Sequence, residues 1–284
     1  MSDHATPTVL VTGAGRGVGR ATAELFAVNG WRAVAGVRDL ERARADYDPA
    51  LGVHLVHLDV EDPVSIAAGV AEAQRLAGGA LTCVVSNAGY ALMGAVEEAD
   101  LDQVRSMFET NFFGAAQVLQ AAVPAMREAG RGSIVVVNSV GARVVSPLVS
   151  MYHASKYALL AVSEALSFEL RPFGIRVSSI EPGMIDTDFP MATRRTGAAS
   201  SGEGPYAPLL GQLRESFGRW RERYSVSAQY VAERVWEAAT ADGPTFQMPV
   251  GDDAWDLVQR RQRAGTDQRA WEALQADFLG LDWR

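Results

Sequence analysis

The chain has 284 residues, 48% of them hydrophobic and 21% charged, which is enough to bury one large core. A net charge of −8 argues against nucleic acid as a partner, and no apolar run reaches the length of a membrane span. Residues 1–7 show no signal-peptide pattern, so we expect a disordered N-terminus and a cytoplasmic protein.

The first predicted element is a strand over residues 8–12 that runs into a glycine-rich loop. Its sequence, T-V-L-V-T, is typical of a buried parallel strand, and T-G-A-G-R-G-V-G follows at 12–19. Glycines without Cβ atoms let backbone N–H groups and a helix N-terminus approach a pyrophosphate. With a helix over 17–29 and a second strand over 32–37, this order predicts a dinucleotide-binding unit.

The end of the second predicted strand indicates which dinucleotide is bound. A basic side chain about twenty residues after the glycine loop binds a 2′-phosphate, whereas an acidic one binds a 2′-hydroxyl. Arg38 occupies that position, and Arg16 in the loop can reach the same phosphate. We therefore expect NADP, with NAD as the less favoured alternative because of the neighbouring Asp39.

Predicted strands and helices alternate along the rest of the chain. This alternation predicts an α/β fold with a doubly wound, Rossmann-type parallel sheet of about seven strands and helices on both faces, in one domain over 1–284. The further strands are expected near 53–58, 81–86, 133–138, 175–180 and 245–249. The further helices are expected near 63–77, 101–129, 152–171 and 228–240.

The cysteine and histidine residues predict neither a disulfide nor a metal site. Cys83 is the single cysteine, and its apolar surroundings, A-L-T-C-V-V-S, indicate a small buried hydrophobic residue. The four histidines, at positions 4, 54, 57 and 153, lack metal-ligand spacing. We expect no resident metal.

The sequence Y-H-A-S-K at 152–156 carries the clearest chemistry. On a helix, residues four apart share a face, so the Lys156 ammonium can lie beside the Tyr152 hydroxyl. A free tyrosine has a pKa near 10, and one positive charge about 5 Å away favours the phenolate by roughly 3 kcal/mol. Lysine and a second cation, such as an oxidised nicotinamide ring, would let the phenol exchange protons near neutral pH.

Short motifs follow one another along the chain in a set order: the glycine loop, L-D-V at 58–60, S-N-A-G at 86–89, N-F-F-G at 111–114, Ser139, Y-H-A-S-K, and E-P-G-M-I-D-T at 181–187. This order and spacing resemble the short-chain dehydrogenase/reductase family over about residues 8–190. The layout is most similar to its hydroxysteroid, retinol and carbonyl reductases. Ser86 departs from the asparagine that is commoner at that position.

The resemblance implies catalytic roles for four residues. Tyr152 would protonate a carbonyl oxygen as hydride arrives, Lys156 would lower the pKa of this tyrosine and bind the nicotinamide ribose, and Ser139 would hydrogen-bond the same oxygen. Asn111 would hold a helix kink and a water that reprotonates the lysine. Ser139 also follows a predicted strand, and doubly wound sheets bind ligands at the carboxyl ends of their strands.

The resemblance also implies a set of cofactor-binding residues. Asp59 would meet the adenine, residues 87–89 would form a wall beside the cofactor, and Thr187 would bind the carboxamide. The full expected set is Thr12, Gly13, Gly15, Arg16, Gly17, Val18, Gly19, Arg38, Asp59, Val60, Asn87, Ala88, Gly89, Tyr152, Lys156, Pro182, Gly183, Ile185 and Thr187.

Residues 188–226 interrupt the alternation and are expected to form a substrate lid. After a polar loop near 192–205, apolar residues recur at helical spacing, which predicts an amphipathic helix over the site or, alternatively, against the core or another subunit. The alternation ends in loop beyond 250, but aromatic residues there indicate a C-terminal helical extension over 250–284. The apolar face of the lid consists of Tyr206, Leu209, Leu210, Leu213, Phe217 and Trp220.

These residues favour an NADPH-dependent ketoreductase that acts on a hydrophobic ketone, or on the alcohol in reverse. Two alternatives stay open because fold and motif do not identify a reaction: a non-redox isomerase, dehydratase or cyclase on the same scaffold, and a non-catalytic NADP-binding sensor. Related enzymes pair the helices near 101–129 and 152–171 between subunits, so the resemblance implies a homodimer or homotetramer.

Overall fold

The computed structural model describes residues 6–187, 194–243 and 246–280. Its strands are, in chain order, β1 (Thr8–Thr12), β2 (Arg32–Val37), β3 (His54–His57), β4 (Cys83–Ser86), β5 (Leu92–Met93), β6 (Gly132–Val137), β7 (Ile175–Pro182), β8 (Ile185–Asp186), β9 (Arg194–Arg195), β10 (Val226–Ser227) and β11 (Gln247–Val250). Seven of these form one sheet in the order β11-β7-β6-β4-β1-β2-β3, with every neighbouring pair parallel. This confirms the predicted doubly wound sheet.

Helices cover both faces of the sheet. They are α1 (Gly17–Val28), α2 (Leu40–Asp46), α3 (Pro63–Ala77), α4 (Leu101–Phe108), α5 (Ala115–Ala129), α6 (Ser150–Leu170), α7 (Ala198–Ser201), α8 (Ala207–Tyr224), α9 (Ala228–Thr240), α10 (Asp252–Ala264) and α11 (Gln268–Leu279). A π-helical segment, Glu109–Gly114, joins α4 to α5. Within the described ranges, no helix is both long and apolar enough to cross a membrane.

Strand β1 shows how the sheet separates two hydrophobic cores. Successive side chains of a strand point to opposite faces. Val9 and Val11 pack with Phe26 of α1 on one face, while Leu10 packs with Val118 and Ile134 on the other. All three β1 side chains are fully buried, which explains the unbroken apolar run of this strand.

The structure departs from the sequence-based elements in a few places. Helix α2 was not predicted, and it forms because the Asp39 side chain accepts a hydrogen bond from the N–H of Arg42 at its first turn. The expected loop over 192–205 contains α7. Beyond residue 250, α10 and α11 agree with the expected C-terminal helical extension and not with a loop. The expectations for residues 1–5, 188–193, 244–245 and 281–284 lie outside the described residues.

Candidate active site

One cavity of about 850 Å³ runs along the carboxyl ends of the central strands, the edge where doubly wound sheets bind ligands. Its volume is typical of a small-molecule site. The cavity brings together most of the residues that the sequence singles out. Those that line it are Gly13, Gly15, Arg16, Gly17, Val18, Gly19, Arg38, Val60, Asn87, Ala88, Gly89, Ser139, Tyr152, Lys156, Pro182, Gly183, Ile185 and Thr187.

The glycine loop between β1 and α1 leaves room for a ligand against its backbone. Gly13 has a φ of +63°, and a Cβ there would lie 2.8 Å from the Cα of Ala88, so only glycine fits without a shift. A Cβ on Gly15 would meet only Val37, at 4.0 Å. The N-terminus of α1 has no side-chain cap, so its N–H groups can bind an anion. The loop therefore fits a dinucleotide pyrophosphate.

Two predicted cofactor residues lie behind the cavity wall. The Thr12 hydroxyl accepts hydrogen bonds from the N–H groups of Asn87 and Ala88, at 3.0 and 3.3 Å, and so ties the glycine loop to the end of β4. Asp59 accepts a hydrogen bond from the N–H of Glu61 at 3.1 Å. Neither Thr12 nor Asp59 lines the cavity, whereas Val60 and Glu61 do.

Basic side chains gather at the end of the cavity next to β2. Arg16, Arg38 and Arg42 all line it. Asp39 lies among them, but its carboxylate accepts a hydrogen bond from the backbone N–H of Arg42 at 3.0 Å and caps α2. This end of the cavity thus combines guanidinium groups with a carboxylate that already has a backbone partner, an arrangement that fits an anionic group.

Tyr152 and Lys156 lie on α6, four residues apart, and both line the cavity. The predicted acidification of the phenol needs a second cation besides Lys156, and burial of the two side chains opposes it. Burial raises the pKa of Tyr152 and lowers the pKa of Lys156 to about 8. Burial penalises the charged form of each group, and the Lys156 Nζ donates to the carbonyl oxygen of Val137 at 3.3 Å.

Ser139 lies two residues beyond the end of β6, close to the predicted strand end, and faces the tyrosine. Its hydroxyl is hydrogen-bonded to Tyr152, and this bond partly offsets the effect of burial on the tyrosine pKa. The Ser139 Oγ also accepts a hydrogen bond from the N–H of Gly141 at 3.0 Å. A hydroxyl that accepts from the backbone keeps its own O–H for donation, so serine and tyrosine can both address one oxygen atom.

Asn111 lies in the π-helical segment, fully buried and behind the cavity wall. Its amide exchanges two hydrogen bonds with the Tyr90 backbone: Oδ1 accepts from the N–H at 3.0 Å, and Nδ2 donates to the carbonyl at 2.9 Å. Nδ2 also donates to the Ser155 hydroxyl at 3.0 Å. The π-helical segment lies at the position of the expected kink, and Asn111 joins it to α6 and to the segment after β4.

Asp253, at the start of α10, supports the loop that follows β7. Its Oδ2 accepts a hydrogen bond from the N–H of Met184 at 2.6 Å, and its Oδ1 accepts from the N–H of Ala254 at 2.8 Å. The residue is 1% exposed, and burial raises its pKa. A carboxylate from the C-terminal part of the chain thus fixes the backbone beside Pro182 and Gly183.

Helix α8, which lies in the segment expected to form a lid, contributes to the cavity at one end only. Phe217, Trp220 and Arg221 line the cavity, whereas Leu210 and Leu213 are buried against Leu148 and Leu279. The predicted apolar face therefore divides its contacts between the protein interior and the cavity. The Trp220 indole donates to the carbonyl of Phe278 at 3.2 Å, which ties α8 to α11.

Sequence reasoning missed several residues of the site. Arg42 was missed together with α2, although Asp39 three residues before it is a capping signal. Asp253 follows Gly251 and Asp252, which mark a helix start, but no local pattern shows that its carboxylate reaches Met184, 69 residues away. The sequence predicts no role for His153 and indicates only that it lacks metal-ligand spacing, yet His153 is 7% exposed and lines the cavity.

Comparison with known sequences gives consistent matches. The model of the family described as short chain dehydrogenase matches residues 7–197. The uncharacterized oxidoreductase YbbO of Escherichia coli strain K12 is 32% identical over 254 residues, which cover 88% of this chain and 88% of that protein. The match extends well beyond the individual motifs.

Solved structures with the same fold cover nearly the whole chain. A short-chain dehydrogenase from Streptomyces avermitilis superposes with a TM-score of 0.82 at 30% identity, over 97% of this chain and 98% of that one. A short chain dehydrogenase from Burkholderia cenocepacia J2315, solved in complex with NADP, has a TM-score of 0.73 at 27% identity, over 96% and 98% of the two chains.

Proposed function

Because this chain belongs to the short-chain dehydrogenase family, we propose that it is an NADPH-dependent reductase that converts a hydrophobic ketone to a secondary alcohol. The observation that carries the proposal is the shared cavity, in which Ser139, Tyr152 and Lys156 stand at one end and arginines at the other. Cofactor and carbonyl can therefore meet within one site.

The preference for NADPH rests on the charges beside β2. Arg16 and Arg38 line the cavity together with Arg42, and guanidinium groups bind phosphate through paired hydrogen bonds. In an NAD site, a carboxylate would instead accept hydrogen bonds from the ribose 2′-hydroxyl. Asp39 is the candidate for that role, but its hydrogen bond to the N–H of Arg42 supports a capping role.

Protonation of the substrate oxygen is assigned to Tyr152. Bound NADPH would supply the hydride for the carbonyl carbon. The Tyr152 hydroxyl gives its proton to the carbonyl oxygen, and the Ser139 hydroxyl donates a hydrogen bond to the same atom. Carbonyl, hydride and proton together make the alcohol, and Lys156 offsets the negative charge left on the phenol.

The directions in which burial shifts the pKa values of Tyr152 and Lys156 agree with a reductase. Burial raises the pKa of Tyr152 and so keeps the phenol protonated, which is the form that a proton donor needs. Lys156, with a pKa lowered to about 8, is still mostly protonated near neutral pH. The cationic lysine then favours the phenolate only once the proton has left.

A hydrophobic substrate is inferred from the remaining lining. Beyond the polar groups, the cavity is bounded by Met93 and Val144, by Phe217 and Trp220 of the lid, and by Leu257 of α10. Surfaces of this kind favour an apolar body next to the reacting carbonyl.

We also infer that the chain forms a homodimer or homotetramer. Phe113 and Phe168, near α5 and on α6, are 45% and 67% exposed, and Tyr157 and Val162 on α6 are exposed as well. Apolar side chains exposed along neighbouring helices are typical of a subunit interface. Light scattering coupled to size-exclusion chromatography measures the number of subunits directly.

The test is a panel of bulky ketones incubated with NADPH, with absorbance of the reduced nicotinamide and product identity both recorded. The proposal requires one mole of NADPH consumed for each mole of alcohol formed. Product formation without net NADPH consumption would instead identify a non-redox reaction. Tight NADPH binding with no turnover of any ketone would count against catalysis of this class.

A further inference from the structure

His153, the second residue of Y-H-A-S-K, is held on both sides of its ring. Its Nδ1 lies 2.9 Å from the carbonyl oxygen of Gly141, and its Nε2 lies 3.0 Å from the backbone nitrogen of Ser146. A backbone N–H can only donate, so Nε2 accepts, and the neutral ring must carry its proton on Nδ1. The imidazole therefore donates to Gly141 and accepts from Ser146.

The two contacts fix the loop that carries Ser139. Gly141 and Ser146 both belong to the segment between β6 and α6, and α6 holds the imidazole because His153 follows Tyr152 in that helix. The His153 side chain is 7% exposed, so little water is available to replace either bond. The proton donor Tyr152 and the residue that anchors the loop of Ser139, His153, are thus neighbours on one helix.

Gly141 connects His153 to Ser139 through two hydrogen bonds. Its N–H donates to the Ser139 Oγ at 3.0 Å, while its carbonyl accepts from His153. A Cβ on Gly141 would lie 2.7 Å from the His153 Nδ1, closer than real Cβ atoms approach. This close approach leaves room only for glycine at position 141.

We propose that His153 is a positioning residue, which sets the orientation of the Ser139 hydroxyl through Gly141. The inference rests on the proposed reductase function, in which Ser139 donates to the substrate oxygen. His153 does not exchange a proton with the substrate. Its contribution is to keep the Ser139 Oγ occupied by the Gly141 N–H, so that the O–H remains directed at the oxygen shared with Tyr152.

Three substitutions separate the two contacts. His153→Asn keeps a donor at the Nδ1 position, His153→Gln keeps an acceptor at the Nε2 position, and His153→Phe keeps only the ring shape. We expect kcat for ketone reduction to fall about 10- to 100-fold in the Gln and Phe variants. In the Asn variant, kcat should stay much closer to that of the parent chain. The Kd for NADPH should stay within about twofold of the parent value in all three variants, because His153 acts on the part of the cavity where Ser139 and Tyr152 lie.

A double-mutant cycle with Ser139→Ala tests whether His153 acts through the serine. In the alanine background, the difference between the Asn and Gln variants should disappear. A kcat difference that persists without the serine hydroxyl would overturn the proposal. Equal kcat losses in the Asn and Gln variants would overturn it as well.

Amide hydrogen exchange at Gly141 gives a second readout that does not need a substrate. The Gly141 N–H should exchange at least about tenfold faster in His153→Gln than in His153→Asn, because only the asparagine keeps Gly141 in place. Equal exchange rates would contradict the proposal. If the parent chain reduced no ketone at all, the proposed function would fail, while this comparison would still decide the role of His153.

Discussion

The Asp39 carboxylate accepts a hydrogen bond from the backbone N–H of Arg42 at 3.0 Å, and this contact changes how the cofactor end of the cavity is interpreted. From the sequence alone, Asp39 is the residue that supports NAD. In the folded chain it starts α2, and the same helix brings Arg42 to the cavity lining beside Arg38. The acidic residue thus helps to assemble a basic site.

Arg38→Asp should remove the preference for NADPH. Loss of a charged hydrogen bond to phosphate, with a carboxylate in its place, should weaken NADPH binding by roughly 10- to 100-fold and leave NADH binding unchanged or stronger. Fluorescence titration with each dinucleotide measures both constants. The control is Arg44→Asp. Arg44 lies on α2, pairs with Glu41 of that helix at 2.7 Å and does not line the cavity. Similar losses in both variants would contradict a specific phosphate contact.

Gly13→Ala should impair both stability and dinucleotide binding. The alanine would need a φ of +63° and would place its Cβ 2.8 Å from the Ala88 Cα, so the glycine loop must shift. We expect a loss of about 1–3 kcal/mol in the free energy of unfolding and weaker NADPH binding.

Gly211→Ala is the matched control for that change. Gly211 lies inside α8, and no atom lies within 4 Å of a Cβ built there. Replacing a helical glycine with alanine should stabilise the chain by about 0.5–1 kcal/mol. Urea unfolding of the two variants should therefore move in opposite directions, and a neutral Gly13→Ala would contradict the loop argument.

Asp253→Asn should loosen the backbone beside Gly183. The amide can keep only one of the two acceptor oxygens, so either the Met184 or the Ala254 N–H loses its buried partner, which costs about 1–3 kcal/mol. The melting temperature should fall and the KM for NADPH should rise. Asp252→Asn changes the exposed neighbouring carboxylate and should do neither. If the two variants behaved alike, Asp253 would have no special role at the site.

Stability should fall in mild acid because of His153. Burial lowers its pKa to about 4 from an ordinary 6.5. The folded chain therefore favours the neutral ring, so this contribution is complete above about pH 6.5 and is lost as the pH falls towards 4, by up to roughly 3 kcal/mol. Urea unfolding at several pH values should show a shallower decline for His153→Asn. The same decline in parent and variant would mean that His153 titrates normally.

Much of the fold could be predicted from the sequence because its signals are local. The apolar β-branched runs locate the main strands, and the i, i+4 spacing of Tyr152 and Lys156 places both on one face of the helix predicted over 152–171. The glycine loop is similarly recognisable, since its conformation depends on the glycines themselves. These features need no knowledge of distant contacts.

The remaining features depend on residues that are far apart in the chain or on burial. No local pattern predicts that the Asp253 carboxylate accepts a hydrogen bond from the N–H of Met184, or that His153 accepts one from the N–H of Ser146, seven residues before it. The pKa of Tyr152 also depends on burial, because the i, i+4 spacing shows the charge of Lys156 but not the burial of both groups, which raises the pKa of the tyrosine and lowers that of the lysine.

The most direct test of the account is single-turnover reduction of an identified ketone by Tyr152→Phe with bound NADPH. The phenylalanine keeps the ring and removes the proton donor. We predict that the rate of NADPH oxidation falls by at least about a thousandfold while the Kd for NADPH stays within about twofold. Reduction by Tyr152→Phe at the rate of the parent chain would contradict the account.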